Sequence, residues 1–224
     1  MKKRIFITAT NTNIGKTYTT LALMDTFAQK GLQVGVVKLI ETGVVDGNYP
    51  DGALLLKKLQ QLNSKAASFD IEDIVPIAYE LPAAPYIASG GEMLDFSKLS
   101  AAIEKMESIS DIVLIEGAGG LMVPVDYSFM MIDVISFFSA NALLVTHCAL
   151  GCINDTLLSL QALQDRNIPS LTVFNCREDD EAFAHVSAPY FSKKGFEVLK
   201  VDEDIATVAE RILDSFKEPT IVSL

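Results

Sequence analysis

The stretch ATNTNIGKTYTT, residues 9–20, follows the apolar run RIFIT and contains Gly15-Lys16-Thr17. Phosphate-binding P-loops, G-x-x-x-x-G-K-[ST], end in this way, between a strand and a helix. Here the opening glycine is missing: counting back from Gly15 gives Thr10 at the strict position and Ala9 one residue earlier. In such a loop the helix N-terminus and successive backbone N–H groups face an anion. Lys16 would reach the outer phosphates, and the Thr17 hydroxyl would ligate Mg²⁺. The plainer alternative is a strand–turn–helix in which Thr12 or Asn13 only caps the helix. The apolar run before and the helical pattern after favour the phosphate reading. The loop is rich in Thr and Asn rather than Gly, so its side chains are expected to line a second polar site.

Three further clusters carry chemistry. Lys38 ends an apolar run and is followed by Glu41-Thr42-Gly43. Alone it reads as a surface lysine; beside a P-loop it points into the same crevice, and two lysines suit charge developing on phosphoryl and carboxylate oxygens. DIVLIEGAGG, residues 111–120, is an apolar run ending in Glu116, the pattern of a Walker-B-type carboxylate that holds a nucleotide's Mg²⁺. Its glycines permit close backbone approach and positive φ. HCALGCIND, residues 147–155, offers backbone N–H groups over Gly151–Asn154 to a carboxylate. Zinc there lacks a second Cys/His pair, and a Cys–His nucleophile is rejected because adjacent strand residues face opposite ways. With three cysteines, Cys148, Cys152 and Cys176, and no export signal, buried thiols are expected rather than a disulfide framework.

The elements that must position these residues alternate in type. Strands are expected at Arg4–Thr8, Gln33–Leu39, Asp111–Glu116, Ala142–Thr146, Ser170–Phe174 and Glu197–Val201. Helices are expected at Lys16–Lys30, Gly52–Leu62, Ser97–Met106, Ile153–Arg166, Asp180–Lys194 and Ile205–Phe216. Continuously apolar runs such as VGVV and IVLI suit strands buried on both faces of a parallel sheet. The expected fold is therefore α/β: a doubly wound, mostly parallel sheet flanked by helices, P-loop NTPase-like, in one domain spanning 1–224. The Pro- and Gly-rich segment Glu80–Glu92 reads as a long connection running over the surface and over the site. A net charge of −11 disfavours nucleic-acid and anionic-membrane partners. No apolar run approaches the roughly 18 residues of a membrane span, and a cytoplasmic location is expected.

In this order, the P-loop, Lys38-x-x-x-Thr42, Glu116-Gly-Ala-Gly-Gly and Leu150-Gly-Cys-Ile-Asn154 resemble the dethiobiotin synthetases of biotin biosynthesis. The likeness runs to about Asn175, roughly three-quarters of the chain. The family's loop is similar to Gly-Thr-Asp-Thr-x-Val-Gly-Lys-Thr, which aligns Ala9 with its first glycine, Asn11 with its acid and Ile14 with its valine.

The resemblance implies a homodimer, with the substrate site at its interface, that uses diaminopelargonic acid, CO₂, ATP and Mg²⁺. It implies catalytic roles for Lys16, Lys38 and Thr12. Nucleotide contacts would come from Asn13, Ile14, Gly15, Lys16, Thr17, Tyr18, Glu116, Gly119 and Asn175, the last against adenine. Thr17, Asp51 and Glu116 would hold Mg²⁺; for Asp51, helix N-capping is a competing role. Substrate would meet Thr12, Lys38 and Thr42, with Leu150, Gly151, Cys152, Ile153 and Asn154 receiving its distal carboxylate from the partner. After EVLKV the chain lacks the family's G-x-I-P-like segment, so weak discrimination between ATP and GTP is expected. Rival readings are a partition- or division-type ATPase, a cobyrinate-type amide synthetase and a non-catalytic nucleotide-sensing module. The first lacks its early loop lysine here, and the second needs a glutaminase domain.

Overall fold

The computed structural model describes residues 3–215. From the N-terminus the elements are β1 (Lys3–Ala9), α1 (Lys16–Gln29), β2 (Val34–Lys38), β3 (Ile40–Thr42), α2 (Gly52–Leu62) and α3 (Ile71–Ile74). There follow β4 (Ile77–Tyr79), α4 (Pro85–Ala88), α5 (Phe96–Ile109), β5 (Ile112–Glu116), α6 (Met131–Phe137) and β6 (Asn141–His147). The remainder is α7 (Cys152–Asp165), β7 (Ser170–Asn175), α8 (Asp180–Val186), α9 (Ala188–Lys193) and α10 (Val201–Ser215).

The main sheet has the order β2-β5-β1-β6-β7 and every pairing in it is parallel. β2 and β5 are buried at every residue, which is why their sequences are apolar up to the Lys38 and Glu116 that end them. Helices flank the sheet, with α1 packed against both α2 and α10. The apolar stripe of α1 buries Leu23, Met24 and Phe27 completely, while Leu21 and Ala28 are only partly covered. Gly31, at φ 81°, turns the chain just past the end of α1, a conformation that favours glycine. Such a sheet gathers the carboxyl ends of its strands into one crevice.

Several features differ from the sequence expectations. Glu197–Val201 is not a strand: it touches β7 through one bridge, Phe174 to Lys200, and α10 begins at Val201. Asp202, Glu203 and Asp204 crowd that helix's first turn, and the Asp204 carboxylate accepts from the Lys200 N–H at 2.9 Å. Carboxylates at a helix N-terminus oppose the positive end of its dipole, so the helix starts early. The expected helix Asp180–Lys194 is broken into α8 and α9 because Pro189 has no N–H and crowds the preceding turn. A small parallel pair, β3 with β4, and the helix α6 were not foreseen. Cys148 and Cys176 form a disulfide, correcting the expectation of thiols, while Cys152 is free and buried. They lie one residue beyond the paired His147 and Asn175 on neighbouring strands, a proximity that only the sheet register creates. Phe216 of the last expected helix lies outside the described residues.

Candidate active site

The carboxyl ends of β1, β2 and β5 open into a cavity of about 1020 Å³. Thr12, Asn13, Gly15, Lys16, Thr17 and Tyr18 line it from the loop and the first turn of α1. Lys38, Thr42, Asp51 and Gly119 complete the expected residues that face it. The connection Glu80–Glu92 closes one wall through Pro82–Pro85. Its α4 is held in place by the Tyr86 N–H donating to the Pro124 carbonyl at 3.2 Å.

The loop is built for an anion. Gly15 occupies the N-cap of α1 at φ 107° and no side chain caps the helix, so neither Thr12 nor Asn13 has the merely capping role. Free N–H groups at this end, with the dipole behind them, are what a phosphate requires. Gly15 is obligatory on two counts: its φ suits glycine, and a Cβ would fall 2.0 Å from Asn175 Nδ2. Ala9, by contrast, is the buried last residue of β1, paired with Val145, and extended strand backbone accepts its Cβ. Of Gly117, Gly119 and Gly120, only Gly119 has positive φ. Gly120 is small because the carbonyls of Ala9 and Thr10 pass 3.2 Å from where its Cβ would be. That close approach is to the loop, not to a ligand.

Beneath the loop lies a charged cluster. In the sheet register Lys38 sits opposite Glu116, so both side chains project on the same face. Lys38 Nζ donates to Glu116 Oε1 and to Asp51 Oδ2, both at 2.7 Å. Glu116 is 0% exposed, and it also accepts from Thr17 Oγ1 at 2.7 Å and Thr20 Oγ1 at 2.8 Å. A buried carboxylate is tolerable because a cation and two hydroxyls satisfy it. Burial alone would push the Lys38 ammonium down, but Glu116 and Asp51 outweigh it and hold the group well above its ordinary range. Burial pushes the Asp51 carboxyl up, yet Lys38, Thr17 and Lys16 bring it below its usual value. Lys16, buried and facing Lys38, is pushed down to about 8. Desolvation is the larger cause and repulsion by Lys38 the second.

Asp51 stands at the N-cap of α2 but makes no side-chain cap bond, so its competing role falls away. Glu41 does that work: its carboxylate accepts from the Asp51 N–H at 2.6 Å and the Gly52 N–H at 3.0 Å. This holds Asp51 with its carboxylate turned to Lys38. Glu41 and Thr20 were given no role by the sequence reading. Thr20 carried a usable signal, since four residues after Lys16 and three after Thr17 it shares their helix face. Glu41 carried only its nearness to Lys38.

Other expected residues lie elsewhere. Ile14 packs on the core instead of lining the cavity. Asn175 is buried, with Nδ2 donating to the Ile14 carbonyl at 2.7 Å, so its amide holds the outside of the loop. Tyr18 does line the cavity but is half exposed, and its hydroxyl donates away to Asp202 Oδ1 at 2.5 Å. Leu150–Asn154 does not line the cavity of its own chain. Leu150 is 94% exposed, whereas Cys152 is fully buried and its N–H donates to the Ala149 carbonyl at 3.0 Å, which leaves the neighbouring residues of the turn to meet a ligand. His147 Nε2 pairs with Asp155 Oδ2 at 3.0 Å.

A family model described as an AAA domain matches residues 3–212. A protein of Sulfurovum sp. (strain NBC37-1), named ATP-dependent dethiobiotin synthetase BioD, is 46% identical over 187 residues, covering 84% of this chain and 89% of its own. A protein of the same name from Wolinella succinogenes is 35% identical over 216 residues, covering 95% and 99%. Among solved structures, a plasmid partition protein from Borrelia burgdorferi superposes with a TM-score of 0.56 at 11% identity, over 96% of this chain and 98% of that one. The MinC:MinD cell division protein complex of Aquifex aeolicus gives 0.53 at 14% identity, over 99% of each chain. At such identities the two structures share the fold alone, the mostly parallel sheet of P-loop ATPases. The sequence relatives are far nearer, and over most of its length the chain belongs to the family of ATP-dependent dethiobiotin synthetases.

Proposed function

We propose that the chain is an ATP-dependent ring-closing ligase that converts diaminopelargonic acid and CO₂ into dethiobiotin in biotin biosynthesis. One observation carries the reading at the level of chemistry: Lys16 and Lys38 converge on one cavity beside an uncapped helix N-terminus. In the reaction, one amine captures CO₂ as a carbamate, whose oxygen attacks the γ-phosphate and displaces ADP. The second amine then attacks the carbamic–phosphoric anhydride at carbon, closing the cyclic urea and releasing phosphate. These steps need positioning and charge neutralisation more than a strong base. The loop N–H groups and Lys16 would hold the outer phosphates. Lys38, fixed from below by Glu116 and Asp51, would face the carbamate together with Thr12 and Thr42.

An all-oxygen set fits Mg²⁺, since the Thr17 hydroxyl and the half-buried Asp51 line the cavity as hard donors, with the Glu116 carboxylate buried directly behind Thr17. When bound, Mg²⁺ would neutralise charge on the nucleotide's phosphates. The remaining expectations belong to the same reading. The exposed Leu150 turn, outside its own cavity, supports a homodimer in which it serves the partner's site, Gly151–Asn154 with it. Lys200 passes directly into α10, which supports weak discrimination between ATP and GTP. Among the described residues no helix is long and apolar enough to cross a membrane, which is compatible with a cytoplasmic enzyme.

The test is phosphate release from ATP with bicarbonate and diaminopelargonic acid added separately and together, with the product identified by mass. Release that requires both, with the cyclic urea formed, is expected. Hydrolysis indifferent to the diamine would refute the reading and favour a partition-type ATPase.

A further inference from the structure

Arg177 has no place in the machinery above. It follows Asn175 and the disulfide-bonded Cys176 at the end of β7, is exposed, and lines the cavity rim. Its Nη2 donates to the Asn13 carbonyl at 2.9 Å. Among the described residues no carboxylate is paired with its guanidinium, in a chain of net charge −11.

The neighbouring contacts show what that bond does. For the loop's N–H groups to face an anion, its carbonyls must point outward and find other donors. Ile14 gives its carbonyl to Asn175 and Asn13 gives its own to Arg177, so two consecutive carbonyls are held from one segment. Asn13 has φ 60°, a left-handed conformation that costs energy in a non-glycine residue and must be held from outside. Arg177 itself has φ 49°. Its segment is firmly seated: Cys176 is buried and bonded to Cys148, and the Phe174 ring packs against those of Phe183 and Phe191 with centroids 4.9 and 5.0 Å away. A glycine-poor loop has thus acquired an external brace.

We propose that Arg177 is a positioning residue, whose bond to the Asn13 carbonyl sets the P-loop in its triphosphate-binding shape before nucleotide arrives. The inference rests on the loop being a nucleotide site, not on which acceptor receives the phosphoryl group. Because the brace acts on the loop, it serves every nucleoside triphosphate alike.

The experiment compares wild type, Arg177→Ala and Arg177→Lys. Backbone ¹⁵N order parameters of residues 12–15 are measured without nucleotide, and Kd values for ATP and GTP by calorimetry. In Arg177→Ala the loop order parameters should fall from about 0.85 to below about 0.6. Both Kd values should rise by one common factor, about five- to tenfold, the net worth of one hydrogen bond at an exposed site. Arg177→Lys, which can still donate, should recover part of both effects. Weakened binding with an unchanged nucleotide-free loop would overturn the proposal in favour of direct ligand contact. A loss confined to ATP would overturn it in favour of a base contact. An unaltered loop and unaltered Kd would leave Arg177 without a role. The order parameters are read without diamine or CO₂, so failure of the ring-closing assignment would not disturb them.

Discussion

Replacing Lys38 by Met tests whether the site is held together by its buried charges. Lys38 is 5% exposed at the side chain and Glu116 is 0% exposed, and they meet at 2.7 Å. Met fills most of the same volume, so packing changes little and the loss is electrostatic. Asp51 is 40% exposed at its side chain and recovers water when Lys38 is gone. Glu116 cannot, and is left with only the Thr17 and Thr20 hydroxyls. Removing one partner of a buried pair costs about 3–5 kcal/mol, and the two remaining donors argue for the lower figure. For a domain of this size about 3 kcal/mol lowers Tm by roughly 6–12 °C. Urea unfolding with linear extrapolation measures the loss at 25 °C. Glu116→Gln in the Lys38→Met background removes the stranded charge, so the double variant should regain most of that stability while remaining inactive. A cost for Lys38→Met below about 1 kcal/mol, or a double variant no more stable than the single, would refute the reasoning.

Lys16, at about 8, should make nucleotide binding sensitive to alkaline pH. The ammonium is present below that value and lost above it, so ATP affinity should fall progressively as pH rises through 8 to 10, with proton uptake on binding in that window. Calorimetry in buffers of different ionisation enthalpy reads both, and Lys16→Ala should abolish turnover and this proton uptake while the fold persists. In the free protein the sign is opposite: between the depressed value and the ordinary 10.5 the unfolded chain binds more protons, so Lys16 makes the fold more stable as pH rises through that range. Gly15→Ala should cost about 1–3 kcal/mol of backbone strain and displace Asn175, weakening ATP by tenfold or more in a binding titration. Mixing Lys16→Ala with Asn154→Ala protein should restore about a quarter of wild-type activity if each substrate site of a twofold dimer borrows residues 150–154 from its partner. No restoration after subunit exchange would place that turn outside the site.

Much of this was legible in one dimension because it is local. Gly15-Lys16-Thr17 needs only a strand before it and a helix after it, and the unbroken apolar runs of β2 and β5 announce burial on both faces. Asp51 shows where local reading stops, since a carboxylate before a helix looks like a cap until Glu41 takes over the capping N–H groups. Likeness points Asn175 at adenine, and only the structure adds that its amide holds the Ile14 carbonyl, a contact between residues 161 apart in sequence. The disulfide was hidden because Cys148 and Cys176 are 28 residues apart, and nothing in their spacing encodes a strand register.

By itself the sequence determined the Gly15-Lys16-Thr17 loop between strand and helix, the acid and lysine that end their strands, and the alternation that makes an α/β sheet. These follow from periodicity and residue chemistry within a few positions. Only the tertiary structure decided that Lys38 faces Glu116, that Glu41 frees Asp51 for it, and that Asn175 and Arg177 brace the loop from behind. Those depend on which strands become neighbours and in what register, a choice made by burying the whole core at once.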